Sequence, residues 1–330
     1  MGLNALHFKC RIACPVCGAG GFSNFYSCAF NHDPVRSNLE SQYRAQGSVA
    51  WDMLEGTTYD LADCKDCGLI FQVNVPNETS LERLYTEMID PGFLQGLETT
   101  ELTVANFQRI AGELALIFDM VGKPASKITL LDYGFGYARW ARVAKAMGAT
   151  VFGTEIGAGK RAMAEHLGMI YLTADEVTQN RYDIVHTEQV FEHLVEPGAQ
   201  FAALASVCDG VMKVAVPPNH DVRRLVERRD GIPSISPFDQ QLRGEAGAKS
   251  ASEAFSAVQP LEHLNAFSDR TMGYLARKHR LRIRARTRLR TVAVDTTSVA
   301  TTARSALEVA KMIVKPYVSS NGYYLFDARN

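Results

Sequence analysis

The chain has 330 residues, a formal net charge of −1, 46% hydrophobic residues and 22% charged residues. That balance excludes global disorder, and the near-zero charge argues against a protein that binds nucleic acid through its overall field. The seven cysteines, odd in number and crowded toward the N-terminus, do not read as a disulfide framework. Met1 to His7 lacks the basic and apolar regions of a secretion signal, and no run reaches the ~18 apolar residues of a membrane span. The expectation is a soluble protein of a reducing, cytoplasmic compartment, with length for about two domains.

Residues 1–75 hold six of the cysteines. Cys14-Pro-Val-Cys17-Gly18 and Cys64-Lys-Asp-Cys67-Gly68 are two knuckles of one kind. The two-residue spacing turns both sulfurs of a knuckle toward one point, and the glycine permits the tight turn behind them. Four thiolates form the tetrahedral set that structural zinc prefers. Cys14, Cys17, Cys64 and Cys67 are therefore the expected metal ligands, with two disulfides or a redox pair as the alternatives. Cys10 and Cys28 read as spare thiols, although Cys28 with His32 could be ligands, and Cys208 reads as a core residue.

Residues 76–126 read as a helical connector. A short amphipathic helix begins at Asn77 and includes Tyr85, and Leu102 to Val121 has apolar residues at helical spacing before Gly122 and Pro124. From 127 to 330, strands alternate with helices: strands at 128–132, 150–155, 169–172, 182–186 and 210–216, and helices at 137–147, 159–167 and around 199–206. This rhythm predicts an α/β fold with a doubly wound sheet. Residues ~229–258, rich in Ser, Gly, Gln and Ala, read as an insertion that forms a lid or mobile loop. A helix at 269–279, a strand at 281–294, a helix at 298–313 and a last strand at 322–328 follow.

The strongest chemical signal is Leu131-Asp132-Tyr133-Gly134-Phe135-Gly136-Tyr137-Ala138, where a strand feeds a helix. Ligands of open α/β sheets bind at this place, and glycines let backbone approach them closely. Nineteen residues beyond Gly136, Glu155 ends the next strand, where a carboxylate can accept both hydroxyls of a ribose. A dinucleotide fingerprint fits poorly, because Arg139 stands where Gly or Ala is needed. A methyltransferase fingerprint fits better, with Asp132 two residues before the first glycine and Ala138 two after the second. An incidental glycine-rich turn is the alternative.

On these residues the segment from about 80 to 330 resembles the class I S-adenosylmethionine-dependent methyltransferases. Tyr182-Asp183-Ile184-Val185 with Phe191-Glu192-His193-Leu194, the strand ending at Pro217, and Pro260-Leu-Glu262-His263-Leu264 through Ser268 extend the resemblance. It implies a Rossmann-like seven-stranded sheet with the last strand antiparallel, and S-adenosylmethionine as methyl donor. The candidate cofactor-binding residues are Tyr85, Asp132, Tyr133, Gly134, Gly136, Tyr137, Glu155, Ile156, Asp175, Glu188 and Gln189. The knuckles are similar to those of an N-terminal zinc segment in some sugar and small-molecule methyltransferases.

Histidine suits general-base work at neutral pH. His263 is the leading candidate base, Glu262 its orienting or acceptor-binding neighbour, and His193 the second candidate; bracing of helices is the alternative for both histidines. Arg280, Arg282, Arg284, Arg286, Arg288 and Arg290 alternate with smaller or apolar residues, which predicts six arginines on one strand face. That face is either solvated or an anion site for a phosphorylated or nucleotide-linked acceptor. The expected function is methyl transfer to a small-molecule acceptor such as a sugar, with structural Zn2+. An RNA methyltransferase and a non-catalytic binding protein on the same fold are the alternatives.

Overall fold

A computed structural model describes residues 5–157, 159–219, 221–244, 255–290, 296–318 and 321–328. The strands are β1 Phe8–Cys10, β2 Phe22–Ala29, β3 Thr58–Cys64, β4 Ile70–Gln72 and β5 Asn74–Pro76, then β6 Thr129–Tyr133, β7 Thr150–Thr154, β8 Ile170–Tyr171, β9 Tyr182–Glu188 and β10 Cys208–Ala215, and finally β11 Asn265–Ala266, β12 Arg282–Ala285 and β13 Tyr323–Asp327. The chain forms two compact units, each discontinuous in sequence. One comprises Met1–Thr99, Phe191–Gln200 and Val216–Tyr274; the other comprises Thr100–Val190, Phe201–Ala215 and Leu275–Asn330. This division departs from the linear one at 75 and 126, because returning segments complete the cysteine-bearing unit.

The second unit contains a seven-stranded sheet in the order β12-β13-β10-β9-β6-β7-β8. β6 through β10 are parallel, and β13 is antiparallel to both of its neighbours. The seven-stranded Rossmann-like sheet with an antiparallel last strand is therefore present as expected. β9 is buried except at its end and β10 except at Asp209, as in parallel sheets covered by helices, although His186 and Lys213 stand among their apolar residues. Strand order reverses between β6 and β9, which puts the ligand crevice at the carboxyl ends of those strands. Helix Val104–Val121 packs Ile110, Leu114, Ile117 and Phe118 into this core. Thr103 caps its start by accepting from the Asn106 amide, and Gly122 ends it in the left-handed conformation.

The first unit carries a four-stranded antiparallel sheet in the order β11-β4-β3-β2 and a small β1-β5 ribbon. Its core joins Phe30, Leu39, Tyr43, Tyr59 and Met88 to Ile232, Phe255 and Val258. The described parts of the expected insertion are thus packed instead of forming a free loop. Ser236 caps helix Pro237–Leu242, the Ser236 amide donates to Ser41 Oγ at 2.7 Å, and Asn38 Nδ2 donates to the Pro233 carbonyl at 2.8 Å. Residues 245–254 of that segment lie outside the described residues.

The six-arginine strand face is not formed. β12 ends at Ala285, and Arg280 lies before it with φ +57°. Arg282 and Arg284 do share a face, where both meet Asp327. Arg288 is half-buried in ion pairs instead of projecting from a strand, and residues 291–294 lie outside the described residues. Alternation sets the face of a residue only while the strand persists.

Candidate functional site

The turn after β6 is built by left-handed backbone at three alternate residues. Gly134, Gly136 and Ala138 have φ values of +71°, +54° and +63°. At Gly134 the requirement is also steric, since a Cβ there would lie 2.6 Å from Val190 Cγ2. The turn then aims its amides at the carboxylate ending β7. The Gly136 N–H donates to Glu155 Oε2 at 2.7 Å, and the Ile156 N–H donates to Oε1 at 2.8 Å. An ionised carboxylate offers about four acceptor sites, so two remain for a diol. Lys160 Nζ donates to the Gly136 carbonyl at 2.8 Å and sits 3.9 Å from the Tyr137 ring centroid. Ile156 is 77% exposed beside this carboxylate, an apolar platform for a flat ring. Tyr133 is half-buried, and burial together with Glu155 raises its pKa.

The structure thus brings Asp132, Tyr133, Gly134, Gly136, Tyr137, Glu155 and Ile156 to the adjoining ends of β6 and β7. Gln189 follows β9 with φ +56°, its amide donating to the Ala215 carbonyl. Asp175 is exposed in the first turn of helix Ala174–Val177, which the Thr173–Glu176 capping box starts. Tyr85 belongs to the other unit, in a helical turn at 84–88.

Glu188 is different. Its carboxylate is held in a buried charge network that the sequence reading did not include. His186 Nδ1 meets Asp132 Oδ1 at 2.7 Å, and its Nε2 lies 2.9 Å from Lys213 Nζ. An ammonium only donates, so His186 accepts at Nε2 and carries its hydrogen on Nδ1 toward Asp132. Lys213 is fully buried, bonds Glu188, approaches Glu113 at 3.3 Å and stands 3.3 Å from the Trp140 ring centroid. Arg288 donates to Glu188 Oε1 at 2.9 Å and reaches Glu113 at 3.5 Å. Burial pushes the Lys213 ammonium down. Burial alone would raise Glu188, but Lys213 and Arg288 outweigh it and hold the carboxyl well below its usual range. The available signal was a lysine inside the apolar run Gly210–Val216 and a histidine ending Tyr182–His186.

In the other unit the two knuckles repeat one geometry. Gly18 and Gly68 have φ +77° and +76°, and their amides donate to the Cys14 and Cys64 carbonyls, each at 2.9 Å. Their amides thereby close the same turn in each knuckle. The four cysteines are free thiols with all sulfurs within 4.8 Å of one another; Cys14–Cys67 is 3.5 Å and Cys17–Cys64 is 3.4 Å. Zinc–sulfur bonds of about 2.3 Å set tetrahedral sulfurs about 3.8 Å apart, so the donor set fits zinc. The Cys67 thiol donating to Cys14 brings Cys14 down to about 5, while Cys67 is pushed up. Crowded sulfurs share protons in this way, and a dication lets all four ionise. Cys28 instead faces the carbonyls of Ala29, His32 and Asp33, and His32 Nδ1 meets Asn31, so this pair does not converge as ligands.

The two Glu-His-Leu triplets come together in this same unit. His193 and His263 meet edge to face with ring centroids 4.7 Å apart. His193 Nδ1 donates to the Glu262 carbonyl at 2.9 Å, and His263 Nδ1 donates to the Ser256 carbonyl. Burial lowers His193 to about 3 and His263 to about 4, so both imidazoles are neutral near pH 7. The Glu262 carboxylate accepts from Tyr43 Oη at 2.8 Å and Gln42 Nε2 at 3.0 Å, and burial raises its pKa. The Ser256 carbonyl thus holds His263 Nδ1, while the Glu262 carboxylate is engaged by Tyr43 and Gln42.

Arg11 fixes both triplets. Its buried guanidinium donates to Leu194 O at 3.4 Å and Leu264 O at 3.2 Å, the carbonyls directly following the two histidines. Asn265 Nδ2 adds a bond of 2.6 Å to Leu194 O. Burial lowers Arg11 to about 10. No motif marked Arg11, whose partners lie up to 253 residues away.

Residues 105–284 match the model of a family described as a methyltransferase domain, so the chain belongs to that family, the S-adenosylmethionine-dependent methyltransferases. No curated protein matches the chain. Among solved structures, the chain is similar to the plantazolicin methyltransferase BpumL in complex with SAH, at 9% identity over 76% of this chain and 93% of that one, TM-score 0.43. It is also similar to magnesium protoporphyrin IX methyltransferase from Synechocystis PCC 6803 with bound SAH, at 13% identity over 77% and 100%, TM-score 0.38. A SAM-dependent methyltransferase from Archaeoglobus fulgidus aligns at 13% identity over 66% and 92%, TM-score 0.36. Among the described residues, no helix is long and apolar enough to cross a membrane.

Proposed function

We propose that this methyltransferase acts on a small-molecule acceptor, such as a sugar, and that His263 takes the acceptor's proton. The observation carrying this reading is the state of the two histidines. Both are neutral, and both spend Nδ1–H on a backbone carbonyl, so each presents an unprotonated Nε2 lone pair. Bound S-adenosylmethionine supplies an electrophilic methyl on a sulfonium. That methyl would be open to in-line attack by the acceptor's oxygen or carbon, and His263 Nε2 would take the acceptor's proton. Positioning supplies most of the rate in such a displacement.

On the cofactor side, Glu155 binds the ribose hydroxyls, Ile156 packs on the adenine, and Asp132, braced by His186, orients the ammonium group. Gly134 and Gly136 admit the cofactor to the backbone, with Tyr133 and Tyr137 beside it. Cys14, Cys17, Cys64 and Cys67 hold a structural zinc ion. The support for a phosphorylated or nucleotide-linked acceptor, or for RNA, weakens, because Arg282, Arg284 and Arg288 are satisfied by Asp327, Glu188 and Glu113. Substituting His263→Gln should lower kcat by about 10²–10⁴-fold, the usual contribution of a general base, with S-adenosylmethionine affinity unchanged. Full turnover of His263→Gln on the true acceptor would remove His263 from this role.

A further inference from the structure

We infer that Glu192, His193 and His263 form a second metal site, distinct from the thiolate site, for a divalent first-row transition ion such as zinc or cobalt. Each residue offers one ligand atom, and the three atoms lie within 4.8 Å of one another. His193 Nε2 is 4.0 Å from Glu192 Oε1. Ligand atoms of a tetrahedral zinc site with bonds of about 2.0–2.1 Å sit about 3.3 Å apart, so closure requires side-chain movements on the order of 1 Å. Two imidazoles and one carboxylate are a recurrent ligand set for such ions, with positions left open for water or a substrate oxygen.

Three further features fit a metal site. Metal-ligating histidines characteristically donate their second ring N–H to a carbonyl or carboxylate, which fixes the tautomer and sharpens the donor nitrogen. His193 and His263 both do so, to Glu262 O and Ser256 O. Arg11 and Asn265 restrain the backbone after His193, and Arg11 also restrains that after His263. The site is partly open, since the His193 side chain is 27% exposed.

The inference goes beyond the methyl-transfer reading and meets it at one atom. An ion on His263 Nε2 occupies the lone pair assigned to the acceptor's proton, so occupancy inhibits turnover. The test uses the full chain with its thiolate site loaded with zinc, titrated with Co2+ alone. The expected result is a further equivalent of cobalt whose visible spectrum lacks sulfur-to-cobalt charge transfer. Glu192→Gln and His193→Ala should each weaken that binding by more than the roughly 10–100-fold seen for loss of an outer-shell partner.

X-ray absorption at the cobalt edge of the unaltered protein covers the case in which a variant misfolds. Imidazole nitrogen and oxygen scattering supports the site. A sulfur shell, no further equivalent, or binding indifferent to both substitutions overturns it. Full activity of His263→Gln, with cobalt bound by the unaltered protein as expected, would sink only the base assignment, and absence of cobalt binding by the unaltered protein would sink only the metal site.

Discussion

The two units bury polar groups in opposite ways. In the sheet unit, Glu113, Glu188, Lys213 and Arg288 each meet an opposite charge at close range, and Asp132 is hydrogen-bonded to His186. In the cysteine-bearing unit, the two histidines are driven neutral by burial, and the thiols compete for protons. A buried charge survives where its partners are already in place; elsewhere the group gives up its charge or waits for an ion. Among the described residues, both clusters of atoms suited to a cation lie in the cysteine-bearing unit.

Metal removal should separate the two units most strongly. Zinc binding to small folding modules contributes about 10–16 kcal/mol. Chelation should release amide protection in β2, β3 and β4 while β6, β9 and β10 keep theirs. Hydrogen exchange checks this, and unchanged protection in β2–β4 would dismiss the structural zinc.

The next effect falls on the sheet unit. Lys213→Met leaves Glu188 and Glu113 without their buried ammonium and should cost about 3–5 kcal/mol. Adding Glu188→Gln should restore part of it. The pH dependence has a definite sign. Glu188 is depressed in the folded state, so its contribution is present above the unfolded carboxylate pKa of ~4.3 and is lost as pH falls through the lower folded value. Without Lys213 that loss should move to higher pH. Denaturant unfolding across acid pH measures both effects, and a variant with the acid profile of the parent would contradict the network.

The smallest expected effect is local. Gly134→Ala places a Cβ 2.6 Å from Val190 Cγ2 at φ +71°, at a cost of roughly 1–3 kcal/mol, and should weaken S-adenosylmethionine binding. Val190→Ala in the same chain should recover the steric part and leave the backbone part. Calorimetric titration of the two variants and the parent resolves these contributions, and no weakening in Gly134→Ala would place the cofactor away from this turn.

What was legible in the sequence follows from range. The alternation of strands and helices, the glycine turn, Glu155 and the paired knuckles are local patterns or simple spacings, and the structure forms each of them. The arginine row misled because periodicity says which face a residue takes, not where a strand stops. Arg11, Glu113, Lys213 and Val190 could not be assigned from local pattern, since their meaning lies in partners far along the chain. Lys213 meets Glu188 25 residues away, and Arg11 meets Leu264 253 residues away. Glu188 shows both limits: its position at the end of β9 was readable, but the cations holding its carboxylate were not.

The discontinuity of the cysteine-bearing unit also has a temporal consequence during synthesis. Its four thiols emerge early, yet β4 lacks its partner β11, and Arg11 lacks Leu264, until residues 264–266 have been made. At roughly 5–20 residues per second, the ~175 residues between Thr99 and Tyr274 take about 10–35 s. Throughout that interval β4 presents an unpaired edge where β11 will add, a site at which a second strand could pair wrongly.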